Sequence, residues 1–189
     1  INLVQKYVGG GGDGAGPGLD KLGGTSWARV KAKTKEALLS MARELVDVGA
    51  KRHVLPGQSF ESGDPLYQEF EARFPFDETP DQQRAIDEVL GDLAGERPMD
   101  RLVCGDVGFG KTEVAMRAAF VVVMAGRQAA VLVPTTVLAQ QHFDTFRTRF
   151  AGYPMRIEML SRFRSKQENA EVVAGLADGT VDVVVATHR

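Results

Sequence analysis

From Thr25 onward, Trp27, Val30, Thr34, Leu38, Met41, Leu45 and Val48 return at helical intervals along one stripe. This spacing predicts an amphipathic helix capped at Thr25-Ser26, and a run to about Gly49 would make it ~36 Å long at 1.5 Å per residue. Pro56-Gly57 closes that unit. Asp64-Pro65 then supplies a cap and an N1 proline for a short helix carrying Leu66, Phe70 and Phe74, which Pro75 stops. Thr79 with Gln82 three residues later spells a capping box with Pro80 at N1. The helix it opens turns Ile86, Val89, Leu90 and Leu93 inward and ends near Gly95.

From Arg101 the period changes. Aliphatic runs at Leu102–Cys104, Ala129–Val133, Met155–Leu160 and Val181–Val185 alternate with helical patterns: one reaching about Met124, one from Thr136 to Phe150 and one from Lys166 to Leu176. Such strands, separated by helices, call for a parallel sheet covered on both faces, with right-handed crossovers. Ligands bind these sheets at the carboxyl ends of the strands, where the loop after Cys104, Pro134-Thr135-Thr136 and Thr187-His188 all fall. Ahead of everything, Ile1 to Val8 is a short strand-like run, followed by nine glycines between Gly9 and Gly24. By composition that stretch reads as a flexible linker.

Composition narrows the picture. A chain of 189 residues, 43% of them apolar, has room for one full domain and part of another. A net charge of −2 gives no overall basic field, so any nucleic-acid surface must be local. Between Ser26 and Leu55 seven Lys or Arg oppose three acids. That excess suits a solvated helix face as well as a phosphate-contacting one. Cys104 is the single cysteine, which excludes an internal disulfide, fits a reducing compartment and, in an apolar run, predicts a buried thiol. His53, His142 and His188 are too scattered for a metal site. No apolar run approaches the ~20 residues of a membrane span and no signal-peptide pattern opens the chain, so a soluble cytoplasmic protein without membrane partners is expected. The chain starts at Ile1 without methionine and stops at Arg189 directly after a strand, as a piece of a longer protein would.

The densest chemistry lies at Gly105-Asp106-Val107-Gly108-Phe109-Gly110-Lys111-Thr112, a G-x-x-x-x-G-K-T loop between an apolar run and a helix. Gly105, Gly108 and Gly110 are expected to adopt positive φ and let successive N–H groups approach a triphosphate. Lys111 would neutralise β/γ charge, Thr112 would hold Mg²⁺ on the nucleotide, and the helix start would add its partial positive charge. The bland alternative is a Gly-rich turn that happens to contain Lys-Thr. These residues predict a P-loop NTP-binding domain.

Four stretches read together go further: Glu78-Thr79-Pro80-Asp81-Gln82, Met99 to Thr112, Val133-Pro134-Thr135-Thr136-Val137-Leu138-Ala139-Gln140-Gln141-His142, and Ser161-Arg162-Phe163. They closely resemble the first motor domain of the bacterial transcription-repair coupling factors, a branch of helicase superfamily 2. Lys6-Tyr7-Val8-Gly9, Lys21-Leu22-Gly23-Gly24 and Trp27 are similar to the end of that family's RNA-polymerase-interacting domain and the start of the helix leading to the motor. The resemblance implies an α/β RecA-like fold in three parts: residues 1–25, the polymerase-interacting end with its Gly-rich loop; 26–77, a linker helix and a short helix; and 78–189, an incomplete first motor domain.

It also implies ATP and Mg²⁺ as cofactors and double-stranded DNA as track, with RNA polymerase and excision-repair proteins as partners of the intact protein. Gln82 resembles the family's adenine-reading glutamine, with Phe76 packing on the base; capping remains the competing role for that amide. Pro134-Thr135-Thr136 resembles a motif that holds a DNA backbone phosphate, or is an ordinary capped turn. Arg162, Thr187 and His188 resemble further DNA-facing positions, although Ala186 stands where the family usually has glycine. No Asp-Glu pair follows a strand after the loop, so this chain alone is expected to bind ATP weakly and hydrolyse almost none. The competing functions are a fork-reversal DNA helicase, a non-hydrolysing docking module switched by nucleotide, and, more distantly, a small-molecule kinase.

Overall fold

The computed structural model describes residues 25–188. The strand-like run at Ile1–Val8, the Gly-rich stretch to Gly24, and the motifs Lys6–Gly9 and Lys21–Gly24 lie outside the described residues. The chain divides into two units, Ile1–Val54 and Leu55–Arg189.

In the first unit, helix α1 spans Thr25–Val54. It overruns the stop expected near Gly49. An internal glycine costs a helix only about 1 kcal/mol, while Lys51, Arg52 and His53 in the last turn complement the helix dipole. Lys51 also pairs with Asp47 one turn back, at 2.6 Å. Termination comes at Leu55, because the residue before Pro56 is driven out of the helical region.

The second unit contains α2 (Pro65–Ala72), α3 (Pro80–Leu93), α4 (Lys111–Met124), β1 (Ala129–Val133), α5 (Thr136–Arg149), β2 (Ile157–Leu160), α6 (Lys166–Ala177) and β3 (Val183–Thr187). The strands form one parallel sheet in the order β1-β3-β2. Successive strand side chains point to opposite faces, so burial of Val183, Val184 and Val185 in a row shows that central β3 is covered on both. Helix α5 packs on all three strands, α6 on β2, and α4 on β1, α2 and α3.

The main core joins Tyr67 and Phe70 of α2 to Met116 and Phe120 of α4, Phe143 and Phe146 of α5, and Val183 and Val185 of β3. Phe70 stacks on Phe120 at 4.1 Å between ring centroids and meets Phe150 edge-on at 5.1 Å. The short helix α2 therefore belongs by packing with the loop-bearing unit, whereas the sequence division at residue 77 follows motif content. A second cluster of Ile86, Val89 and Val114 sews α3 to α4.

One expected element is absent from the described residues. Leu102–Cys104 is not a strand, and Leu102 is 86% exposed. A strand exists only through a hydrogen-bonding neighbour, and no described backbone pairs with this segment. It is held by side chains instead: Arg101 bonds Asp92 and Glu88 on α3, each at 2.5 Å, and Val103 packs on the second cluster. Between Val103 and the β1 residues Ala129 to Leu132 lies a cavity of about 530 Å³. Cys104, expected to be a buried thiol, is exposed for the same reason. The strands expected at Met155 and Val181 begin two residues later, at Ile157 and Val183.

Candidate nucleotide site and nucleic-acid rim

Helices α2, α3, α5 and α6 each begin with a side chain that accepts a hydrogen bond from their first-turn amides: Asp64, Thr79, Thr135 and Ser165. Helix α4 begins with Gly110, which offers no side chain. The Glu113 amide donates to the Gly110 carbonyl at 2.9 Å, which leaves the Lys111 and Thr112 amides for an anion, and the dipole favours one there. Gly108 and Gly110 have φ of 88° and 72°, the left-handed region that bends the loop into the helix. Gly105, expected to share that conformation, does not. A Cβ there would touch the aliphatic part of Lys111 at 3.6 Å, an ordinary contact.

The loop forms a hollow of about 350 Å³ lined by Gly105, Asp106, Phe109 and Lys111 together with Thr79, Gln82 and Cys104. Lys111 reaches back across it, donating to the carbonyls of Gly105 and Asp106 at 2.5 Å each. Val107 and Phe109 face outward, Val107 almost completely. Thr112 stands half-buried in the first turn of α4, and its hydroxyl has no hydrogen-bond partner among the described residues. An uncommitted hydroxyl next to the phosphate cradle fits the demand of Mg²⁺ for oxygen ligands.

Gln82 is the second anchor of the hollow. Its Oε1 accepts from the Thr79 amide at 2.7 Å, completing the capping box, and its Nε2 donates to the Phe109 carbonyl at 3.0 Å. Both ends of the amide are thus engaged, each with one further bond available. Gly110 makes this approach possible, since a Cβ there would sit 2.7 Å from Gln82 Nε2. Phe76 is not brought to the hollow. It meets Phe74 edge-on at 5.5 Å, is 71% exposed, and lines a separate cavity of about 640 Å³ with Arg73, Phe74 and Arg149.

The sheet register gathers the other candidate residues. Val133 pairs with Thr187 and Leu160 with Ala186, so Pro134-Thr135-Thr136, Ser161-Arg162-Phe163 and Thr187-His188 leave the same end of the sheet. Thr135 caps α5 by accepting from the Leu138 amide at 3.2 Å, which leaves its own hydroxyl proton to donate. Ser161 is buried, accepts from the Phe163 amide at 3.2 Å, and is locked by Asn169 bonding its carbonyl. Arg162 is exposed and makes no hydrogen bond or ion pair among the described residues. Thr187 belongs to β3 itself, and His188 follows it, exposed.

Sequence reading missed a buried ion cluster beneath the loop helix. Arg117, fully buried, gives one nitrogen to each of three carboxylates: Nε to Glu113 at 3.1 Å, Nη1 to Glu71 at 2.7 Å, and Nη2 to Glu78 in a short contact. Glu113 is shared with Arg149, which lies over the Phe70 ring at 3.8 Å. Burial pushes the Glu78 carboxyl upward, but its own backbone N–H and the Arg117 guanidinium outweigh this and hold it below its usual range. Burial likewise opposes the Arg117 charge, and its carboxylate partners overcome it, raising its pKa. The available signal was a Glu-x-x-x-Arg pair inside an otherwise apolar helix.

The DEAD/DEAH box helicase family pattern matches residues 79–189. Over all 189 residues the chain is 51% identical to the transcription-repair-coupling factors of Bacillus subtilis (strain 168) and Escherichia coli (strain K12), and it spans 16% of the length of each. The structure of RecG bound to a three-way DNA junction superposes on 75% of this chain and 20% of that one, with a TM-score of 0.69 and 35% identity. That likeness agrees with the parallel sheet and its helices in an α/β, RecA-like fold. With Gln82, the phosphate loop and the rim all inside the matched region, the chain belongs to the DEAD/DEAH box helicase family.

Proposed function

We propose that this chain carries the ATP-binding part of an ATP-dependent double-stranded DNA translocase, of the kind that couples stalled transcription to excision repair. The observation that supports it most is the single hollow shared by Gln82, the phosphate loop and Lys111. Triphosphate would bind the uncapped amides of α4 and exchange for the two carbonyls now held by Lys111. Gln82 would offer adenine a donor and an acceptor. Mg²⁺, held through Thr112 and the nucleotide, supplies charge neutralisation for phosphoryl transfer. The DNA backbone would lie on the rim, positioned by Thr135, Thr136, Arg162, Thr187 and His188 without base reading.

In this reading residues 1–25 end a polymerase-interacting domain, 26–77 link it to the motor, and 78–189 begin the motor. RNA polymerase and repair proteins are partners of the intact cytoplasmic protein. Among the described residues no helix is long and apolar enough to cross a membrane. The 189-residue chain by itself binds ATP weakly and hydrolyses almost none, since phosphoryl transfer needs more than a cradle. Incubation with labelled ATP tests this: bound nucleotide with negligible phosphate release is expected, and turnover like that of a complete motor overturns it.

The likeness to RecG favours a second reading, a fork-reversal helicase. Identity of 51% against 35% favours the coupling factor. Release of a stalled transcription complex by the full-length protein and ATP separates them, because a fork-reversal enzyme leaves that complex in place.

A further inference from the structure

Three elements meet at Arg117. Helix α2 brings Glu71, the segment entering α3 brings Glu78, and α4 supplies Glu113 one turn before the guanidinium itself. Glu78 immediately precedes Thr79, whose amide donates to Gln82 Oε1, and Gln82 Nε2 donates to the Phe109 carbonyl in the phosphate loop. A continuous path of contacts thus runs from a buried guanidinium to the amide above the hollow. Glu78–Arg117 is thus a part-buried ion pair beside the capping box at the entry of α3. A side chain that must present a donor and an acceptor to a flat base edge tolerates little angular freedom, because hydrogen bonds weaken steeply when misaligned.

We propose that Arg117, through Glu78, is a positioning residue for base selection: it fixes the entry of α3 so that the Gln82 amide stands where adenine, and not another base, satisfies it. The proposal rests on the reading of Gln82 as the adenine contact. Arg117 does not line the hollow, and its contact with Glu78 leads to the segment that carries Gln82, so loss of that one contact is read at the base.

The test measures dissociation constants of ATP, GTP and inorganic tripolyphosphate by calorimetry on the full chain. It compares wild type, Glu78→Gln, Glu71→Gln and Gln82→Ala, with folding followed by circular dichroism. Glu78→Gln is expected to lower the preference for ATP over GTP about tenfold and to leave tripolyphosphate within about twofold. Glu71→Gln takes a carboxylate from the same guanidinium but not from the Gln82 segment, and is expected to leave the preference intact. If Gln82→Ala abolishes the preference while Glu78→Gln does not, positioning by Arg117 is overturned and the Gln82 reading stands. If neither variant moves it, or the wild type shows none, both are overturned. Equal losses in Glu71→Gln and Glu78→Gln, or parallel weakening of ATP and tripolyphosphate, reduce the cluster to structural support and overturn the proposal. Should Glu78→Gln fail to fold, Glu78→Asp, which keeps the charge and shortens the reach, is judged by the same ratios.

Discussion

The side-chain amide of Gln82 donates to the main-chain carbonyl of Phe109 at 3.0 Å, tying the first turn of α3 to the phosphate loop 27 residues away. Its other end completes the capping box with Thr79. The two roles can be separated by chemistry. Gln82→Glu retains a capping-box acceptor but loses the NH₂ donor. Its melting temperature should therefore fall only by the loss of the exposed Phe109 contact, while ATP affinity, read by calorimetry, falls roughly tenfold. Unchanged ATP affinity in this variant would leave Gln82 to capping alone.

Gly110→Ala should disturb the same contact from the opposite side. The residue sits at φ 72°, and the added Cβ would lie 2.7 Å from Gln82 Nε2. Left-handed strain of about 1–2 kcal/mol adds to the displacement of the amide, so both stability and nucleotide binding should drop. Gly126→Ala, at the same φ with nothing near its Cβ, is the control: it should cost stability only. Denaturant unfolding with parallel ATP titration distinguishes the two.

Acid and alkaline limits of stability should have different owners. Glu78 has its folded pKa below 4.5, so the stability it contributes is present above 4.5 and is lost as pH falls through the folded value. Glu78→Gln should flatten that acid limb. Tyr67 moves the other way: burial pushes its phenol up to about 12 from 10.0. Its contribution is complete below pH 10 and lost as pH rises towards 12. The Tyr67 hydroxyl has no hydrogen-bond partner among the described residues, so Tyr67→Phe should be neutral at pH 7 and flatten the alkaline limb. Melting temperatures across pH read both.

Phe120→Ala should be among the most damaging core substitutions. The ring is fully buried, stacks on Phe70, and meets Tyr153 edge-on at 4.9 Å. A loss of about 3–5 kcal/mol in chemical denaturation is expected.

Local chemistry was legible wherever it is decided by neighbours in the chain. The caps at Asp64 and Thr79, the turn of Gly108 and Gly110, and the helical stripes of α3 to α6 all depend on residues within a turn or two. Leu102–Cys104 was not legible, because a strand is a relation between two backbones and its own sequence describes only one. Phe76 escaped for a similar reason: an exposed aromatic settles on whichever ring the fold brings near, here Phe74. Of the partners of Arg117, Glu78 and Glu71 lie 39 and 46 residues away, beyond any periodicity. The rim was legible in residue type, and the sheet register then placed its three stretches at one end.

The open flank of β1 carries a liability. Leu132 is 69% exposed on a strand paired along one edge only among the described residues. Such edges recruit other strands, so the 189-residue chain should self-associate at high concentration. Leu132→Lys should suppress this in light scattering; undiminished association would place the sticky surface elsewhere.

Glu113 puts a carboxylate in the first turn of the helix that opens beside the loop's hollow, where an unbalanced negative charge would repel an anion. Arg117 and Arg149 bracket it, so its field is cancelled a few ångströms from its origin. The mouth of the helix consequently keeps its attraction for anions, and the same carboxylate is free to act as a rivet between α4 and α5.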